Sequence, residues 1–225
     1  MKRLIVLSAG LSTPSTTRQV ADTIANAVSS AVGGRGEKLK VTTIELRELT
    51  ADLAQHTSTG MSTAHLDEVK TQLSAADALV AVTPVFKASY TGLFKMFFDV
   101  LDTDALNGMP TIIAATAGTA RHSLVTEYAM RPLLTYMRAV VVPTSLFAAT
   151  DDFGGPEGAD FNKRVARAAA ELARLIVATE GSVGGLAGAV TDSSADVPPR
   201  KRKAGVDVTD DFIPFSELLR GHRGE

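Results

Sequence analysis

Leu4-Ile5-Val6-Leu7-Ser8-Ala9-Gly10-Leu11-Ser12-Thr13-Pro14-Ser15-Thr16-Thr17-Arg18 reads as a short apolar run, a hydroxyl-rich loop and the opening of a helix. The run from Leu4 to Ser8 is almost continuously hydrophobic, as a parallel strand covered on both faces must be. Beyond the loop, Val20, Ile24, Ala27, Val28 and Ala31 recur at helical spacing and form one apolar stripe. The same unit then repeats along the chain. Further β-rich runs lie at Lys40 to Leu46, Ala78 to Thr83, Thr111 to Thr116 and Val140 to Leu146. Helical stripes follow at Leu66, Val69 and Leu73, and at Leu93, Phe97, Val100 and Leu101. A fourth holds Leu124, Tyr128, Leu133, Leu134 and Met137, with Pro132 as a local complication. A fifth runs through Val165, Ala169, Leu172, Leu175 and Ile176. Strand and helix alternating in this way predict a doubly wound α/β sheet with right-handed crossovers. Ligands of such sheets sit at the carboxyl edge, so the loops leaving the first, third and fourth strands are expected to carry the chemistry.

Composition narrows the function. A chain of 225 residues with 45% hydrophobic and 21% charged residues suits one globular domain with a substantial core. A formal net charge of −2 supplies no field that would draw it to nucleic acid or to a membrane. There is no cysteine, which excludes a disulfide scaffold, a Cys-ligated metal and a thiol nucleophile. No apolar run approaches the roughly 20 residues of a membrane span. Met1-Lys2-Arg3 ahead of an apolar stretch has the look of a signal peptide, but that stretch falls short of the roughly 7–15 residues of a secretory core. A buried first strand in a cytoplasmic protein is expected instead.

Six of the eleven residues from Ser8 to Arg18 carry hydroxyls. A helix N-terminus with short hydroxyl donors, free N–H groups and little bulk suits a phosphate. The loop lacks both the Gly-Lys-Ser/Thr of a nucleotide triphosphate site and the three glycines of a dinucleotide fingerprint. A monophosphate is therefore expected, held by Ser8, Leu11, Ser12, Ser15, Thr16 and Thr17, with Arg18 adding a charge-assisted contact. The plainer alternative is that Ser15 or Thr16 caps the helix and Arg18 is solvated.

The loop after the third strand is the most specific feature of the chain: Thr83-Pro84-Val85-Phe86-Lys87-Ala88-Ser89-Tyr90-Thr91-Gly92. Pro84 is expected to end the strand. This segment resembles the flavin-contacting loop of NAD(P)H-dependent FMN reductases of the flavodoxin-like superfamily. The alkanesulfonate-type flavin reductases read T-P-V-Y-K-A-S-Y-S-G there, differing only at Phe86 and Thr91. The order of elements agrees to about residue 150. The resemblance implies a flavodoxin-like, five-stranded parallel sheet of order 2-1-3-4-5 with helices on both faces. It further implies that Pro84, Val85, Phe86 and Lys87 pass along the isoalloxazine, with Ser89 and Tyr90 shaping the pocket. A cation or donors near the ring's N1 and O2 would favour hydride acceptance.

The loop after the fourth strand, Thr116-Ala117-Gly118-Thr119-Ala120-Arg121-His122, is similar to the family's A-T-G-G-S-x-A-H. Glu127-Tyr128-Ala129-Met130-Arg131-Pro132-Leu133-Leu134 is close to its D-Y-A-L-R-P-L-L. The likeness sets Thr116, Ala117, Gly118 and Thr119 against the ring's other edge, with His122 nearby. Ala117 departs from the family's glycine. Tyr128 and Arg131 would be interface residues of a homodimer or homotetramer. By the same resemblance the cofactors are FMN with NADPH or NADH, and the reaction is hydride transfer from nicotinamide to FMN. That transfer needs no protein acid or base. The reduced flavin would pass to a partner flavin-dependent monooxygenase. Two other readings share the scaffold: an NAD(P)H quinone, azo or metal-ion reductase, and a non-enzymatic electron carrier.

Residues 1–180 are expected to form the reductase domain. Residues 181–225, with a Gly/Ser/Pro-rich stretch and Arg200-Lys201-Arg202-Lys203, are expected to be a flexible connector ending in the apolar Phe212-Ile213-Pro214-Phe215. Residues 50 to 63, polar with His56 and Met61, are expected to be a loop over the ring or an idle excursion.

Overall fold

The computed structural model describes residues 1–149 and 156–177. The expected tail beyond 180 lies outside them. Seven strands make one sheet: β1 (Lys2–Ser8), β2 (Leu39–Glu45), β3 (Ala78–Phe86), β4 (Ser89–Tyr90), β5 (Pro110–Ala117), β6 (Val140–Val141) and β7 (Leu146–Ala149). The helices are α1 (Thr16–Gly33), α2 (Thr50–Thr59), α3 (Ala64–Ser74), α4 (Gly92–Asp99), α5 (Arg131–Tyr136) and α6 (Pro156–Ile176). The path through the sheet is β2-β1-β3-β5-β6, parallel throughout. Alternate residues of each central strand feed two cores. Ile5 and Leu7 join Leu53, Leu66, Phe94 and Phe97 on one face, and Leu4 and Val6 join Val20, Ile24, Val165 and Leu172 on the other. Both faces are covered, which is why the strands read as unbroken apolar runs.

The doubly wound class is as expected, but the strand order departs from 2-1-3-4-5 in two ways. Pro84 does not end the third strand. It stands opposite Thr116 in the parallel ladder, and the chain runs on to Phe86 before folding back as β4, with Val85 opposite Tyr90. A proline removes one donor only, so a ladder near its end survives it. The fifth strand, expected as one run from Val140 to Leu146, is split into β6 and β7. β6 pairs with Pro110 and Thr111 at the foot of β5, and β7 pairs with Ala114 to Ala117 at its top.

The break between β6 and β7 has its own fastenings. The Arg131 guanidinium donates to the carbonyls of Val142 at 3.1 Å and Pro143 at 3.2 Å, and its other edge grips both oxygens of Glu127 at 2.6 and 3.0 Å. Thr144 is held through its N–H and hydroxyl by Glu171 of α6, at 2.9 and 2.8 Å. Arg131 thus faces its own chain.

Two further expectations need correcting. Residues 50–59 are helical rather than a loop, anchored by the fully buried Leu53 amid a polar surface. One buried residue in a ten-residue helix is too sparse to show as a stripe. Leu124 and Tyr128, counted in the fourth apolar stripe, are exposed, Tyr128 at 79%. There the backbone winds more widely over Thr126–Met130 before α5 begins, and the wider turn rotates the stripe. Pro132 enters in the first turn of α5, directly after that wider turn.

Replacing Arg131 by Met should lower stability by about 1–3 kcal/mol, because two carbonyls and a carboxylate lose their donor. Glu127 is held below its ordinary value of 4.5, chiefly by the hydrogen bond from Arg131. The stability it contributes is therefore present above pH 4.5 and fades as pH falls through the lowered value. Calorimetry of both proteins should show a Tm gap that is full at neutral pH and narrows in acid.

Candidate functional site

The carboxyl ends of β1, β3 and β5 lie side by side, with Ser8 opposite Val82 and Pro84 opposite Thr116. Their loops enclose a cleft of about 320 Å³. Gly10, Leu11, Ser12, Thr16 and Thr17 line it from the first loop. Pro84, Val85 and Phe86 come from the third strand, and Thr116, Ala117 and Gly118 from the fifth.

The first loop is built around the start of α1. The Ala9 N–H still donates to Val82 O at 2.9 Å, so the sheet holds the chain up to that point. Ser15 is the N-cap, its hydroxyl accepting from the Arg18 N–H at 3.2 Å. The N–H groups of Thr16 and Thr17 precede the first intrahelical acceptor and remain available at the cleft. A side chain at Gly10 would put its Cβ 2.1 Å from Ser15 Oγ, so only glycine lets the loop fold this closely over the cap. Thr17 is buried and shares a hydrogen bond of 2.9 Å with Thr116, which ties the first loop to the fourth. Ser8, 1% exposed, has a hydroxyl with no partner among the described residues.

Arg18 turns away from this cleft. Its Nε pairs with Asp22 at 2.9 Å and its Nη1 with Glu45 at 2.6 Å. The hydrogen bond it donates to Asp22 raises its pKa above the ordinary value. Glu45 in turn holds Arg47, whose Nη1 reaches the Ser12 carbonyl at 3.1 Å and the Thr13 hydroxyl. Gly10, Glu45 and Arg47 were not singled out in the sequence. Gly10 could have been found from its place beside the helix cap, but the partnership of residues 18, 45 and 47 is tertiary and leaves no local signal.

The third loop is a tight hairpin. Lys87 and Ala88 both adopt left-handed backbone, at φ 51° and 62°. A two-residue turn of this hand matches the strand twist but usually takes glycine or asparagine. The strain is held at the hairpin's root, where the fully buried Thr83 hydroxyl accepts from the Thr91 N–H at 3.2 Å and donates to Pro84 O at 2.9 Å. Thr91 then caps α4. Phe86 is left 50% exposed at the mouth of the cleft. Lys87 is exposed beside it, Ser89 lies on β4, and the Tyr90 ring packs 5.6 Å from Phe94.

In the fourth loop Thr119 caps a single helical turn, Ala120–His122, accepting from the Arg121 N–H. His122 lines a separate hollow with Ala88, Arg121 and Tyr128. Of the residues expected to hold a cofactor, Leu11, Ser12, Thr16, Thr17, Pro84, Val85, Phe86, Thr116, Ala117 and Gly118 meet around one cleft. Ser8, Ser15, Arg18, Lys87, Ser89, Tyr90 and Thr119 stand behind or beside it.

A phosphorylated flavin fits what this rim offers. The phosphate would meet free N–H groups and hydroxyls at a helix start, and the unpartnered Ser8 hydroxyl lies at the root of that loop. A flat ring would find apolar backbone and Phe86 on one side and the small Ala117 and Gly118 on the other. A Cβ at Gly118 would meet nothing within 4 Å, so this edge is open. Among the described residues no acid or base lines the cleft. Among the described residues no group of three or more His, Asp and Glu is gathered as for a metal ion, and no helix is long and apolar enough to cross a membrane.

Residues 2–154 match the family model described as NADPH-dependent FMN reductase. The fold is similar to that of an oxidoreductase from Corynebacterium diphtheriae, with 70% identity and a TM-score of 0.77 over 78% of this chain and 97% of that one. In sequence the chain is 33% identical to the NADH-dependent FMN reductase SfnE of Pseudomonas putida, over 80% of this chain and 90% of that protein. It is 37% identical to an NADPH-type FMN reductase of Pseudomonas aeruginosa, where the match spans 49% of this chain and 59% of the relative.

The strained hairpin yields one measurement. Ala88→Gly relieves a left-handed alanine and should raise stability by about 1 kcal/mol, seen as a higher Tm. The freed turn should at the same time bind its ligand more weakly, because a looser hairpin must be ordered on binding.

Proposed function

The chain belongs to the NADPH-dependent FMN reductase family, and from that premise we propose that its rim cleft seats FMN for reduction by NAD(P)H. The observation that carries the reading is the meeting of three loops at one carboxyl edge, with a capped helix start on one side and a rigid hairpin on the other. FMN, when bound, supplies the hydride acceptor, and the nicotinamide nucleotide is the donor.

The chain's own groups bind and orient. The Thr16 and Thr17 N–H groups, with the hydroxyls of Ser12, Thr16 and Thr17, would hold the phosphate at the positive end of α1. Ser15 would act by fixing the helix cap, and Ser8 from beneath. Arg18 would serve through Glu45 rather than by touching the phosphate. Backbone from Pro84 to Phe86, and from Thr116 to Thr119, would line the two edges of the ring. Lys87 at the hairpin tip would add positive charge beside the ring, with Ser89 and Tyr90 supporting the turn. Positioning and local electrostatics are the protein's contribution, and no residue need hold or move a proton.

The reading extends to a partner. The reduced flavin would be consumed by a flavin-dependent monooxygenase, and the exposed Leu124, Tyr128 and Tyr136 would be covered by a second copy of the chain in a dimer or tetramer. The functional unit would take in residues 1–180 and work in the cytoplasm.

Steady-state NAD(P)H oxidation tests the assignment. Turnover with free FMN as the acceptor is expected, together with a visible spectrum of bound flavin on titration. Turnover only with quinones would replace flavin by another acceptor, and no turnover without an added redox protein would make the chain an electron carrier.

A further inference from the structure

The four residues Leu11 to Pro14 form the exposed tip of the first loop, between the buried Gly10 backbone and the buried cap Ser15. Among the described residues, Arg47 is the one side chain outside the loop that hydrogen-bonds to this tip. Its Nη1 donates to the Ser12 carbonyl at 3.1 Å and to the Thr13 hydroxyl. The guanidinium is itself fixed, because its Nε pairs with Glu45 at 2.7 Å. Glu45 is only 14% exposed, and its second oxygen takes the Arg18 Nη1 at 2.6 Å. The chain of contacts therefore runs from the first turn of α1, through a carboxylate at the end of β2, and back to the loop that precedes α1. It closes the loop into a ring of fixed size.

We infer that Arg47 is a positioning residue for the phosphate end of the cleft and sets the site's preference for phosphorylated over unphosphorylated flavin. The inference rests on the reading of the cleft as an FMN site. Arg47 is committed to a carboxylate and two oxygens of the loop, so its effect on a phosphate passes through Ser12 and Thr13. Ser12 is a cleft-lining residue, and its hydroxyl and backbone are placed by the carbonyl that Arg47 holds. An unpinned tip would sample many arrangements, and a phosphate would have to order it on arrival. Riboflavin, which ends before the phosphate, would not feel this. Lysine cannot replace the side chain, because one ammonium does not span a carboxylate and two loop oxygens in fixed directions.

The test is fluorescence titration of the full chain with FMN and with riboflavin, before and after Arg47→Ala. The expected result is an FMN Kd raised about tenfold with riboflavin binding little changed, so that the ratio of the two affinities falls by the same factor. In turnover, the KM for FMN should rise while kcat at saturating FMN holds. Arg47→Lys should behave like Arg47→Ala in this ratio, and Arg47→Gln supplies a second uncharged variant should the alanine protein fail to fold. Equal weakening of both flavins would make Arg47 a general structural support and overturn the inference, as would no change in either. If the unaltered protein binds neither flavin, the FMN reading falls and the inference with it. If it prefers FMN but the ratio survives substitution, the inference alone falls.

Discussion

The parallel register of β1, β3 and β5 is the constraint on which the rest depends. With Ser8 opposite Val82, and Val82 opposite Ala114, the carboxyl ends of the three strands share one edge of the sheet, where β3 and β5 run on a few residues past the end of β1. The central strands β1, β3 and β5 are buried on both faces, and their backbone groups are paired with neighbouring strands until the ladder runs out. At that rim the free N–H groups, the start of α1 and the small residues of the fourth loop come together. The hydrogen bond between Thr17 and Thr116 joins the two sides, which places the binding groups on elements that the two cores already hold.

Much of this was legible in the letters, and the reason is physical. β1, β3 and β5 are buried on both faces and announce themselves as apolar runs. α1 and α6 show their stripes because each packs one whole side on the sheet. The loops of the cleft were legible because phosphate and flat-ring binding restrict residue types over short spans. What depended on a distant partner was hidden. Arg18 carries the right charge at the right turn for a phosphate contact, yet Glu45, 27 residues further on, claims it. The helix at 50–59 was hidden because a single buried leucine anchors a polar surface. The split of the fifth strand had one local sign, Pro143 ahead of Thr144 and Ser145, outweighed by the three valines before it, and the clamp from Arg131 on Val142 and Pro143 shows that the chain opens there.

The site's chemistry follows from what it lacks room for. Its charged groups pair with one another outside the cleft, as Arg18, Glu45 and Arg47 do, so the cleft itself presents backbone, hydroxyls and one aromatic ring. Such a lining suits a cofactor that brings its own reactivity, and it accords with membership of a family named for reducing FMN. The strained Lys87-Ala88 turn belongs to the same design, because a hairpin bought at some cost in backbone energy holds its neighbours in one arrangement.

The divided strand at the end of the sheet bears on how the protein survives in a crowded solution. An unbroken outer strand offers another chain a row of amides and carbonyls on which to add itself, the first step of aggregation. Here the two pieces are two and four residues long, a proline stands between them, and the carbonyls of Val142 and Pro143 are already bound. Among the described residues a foreign strand would find no continuous template on that side.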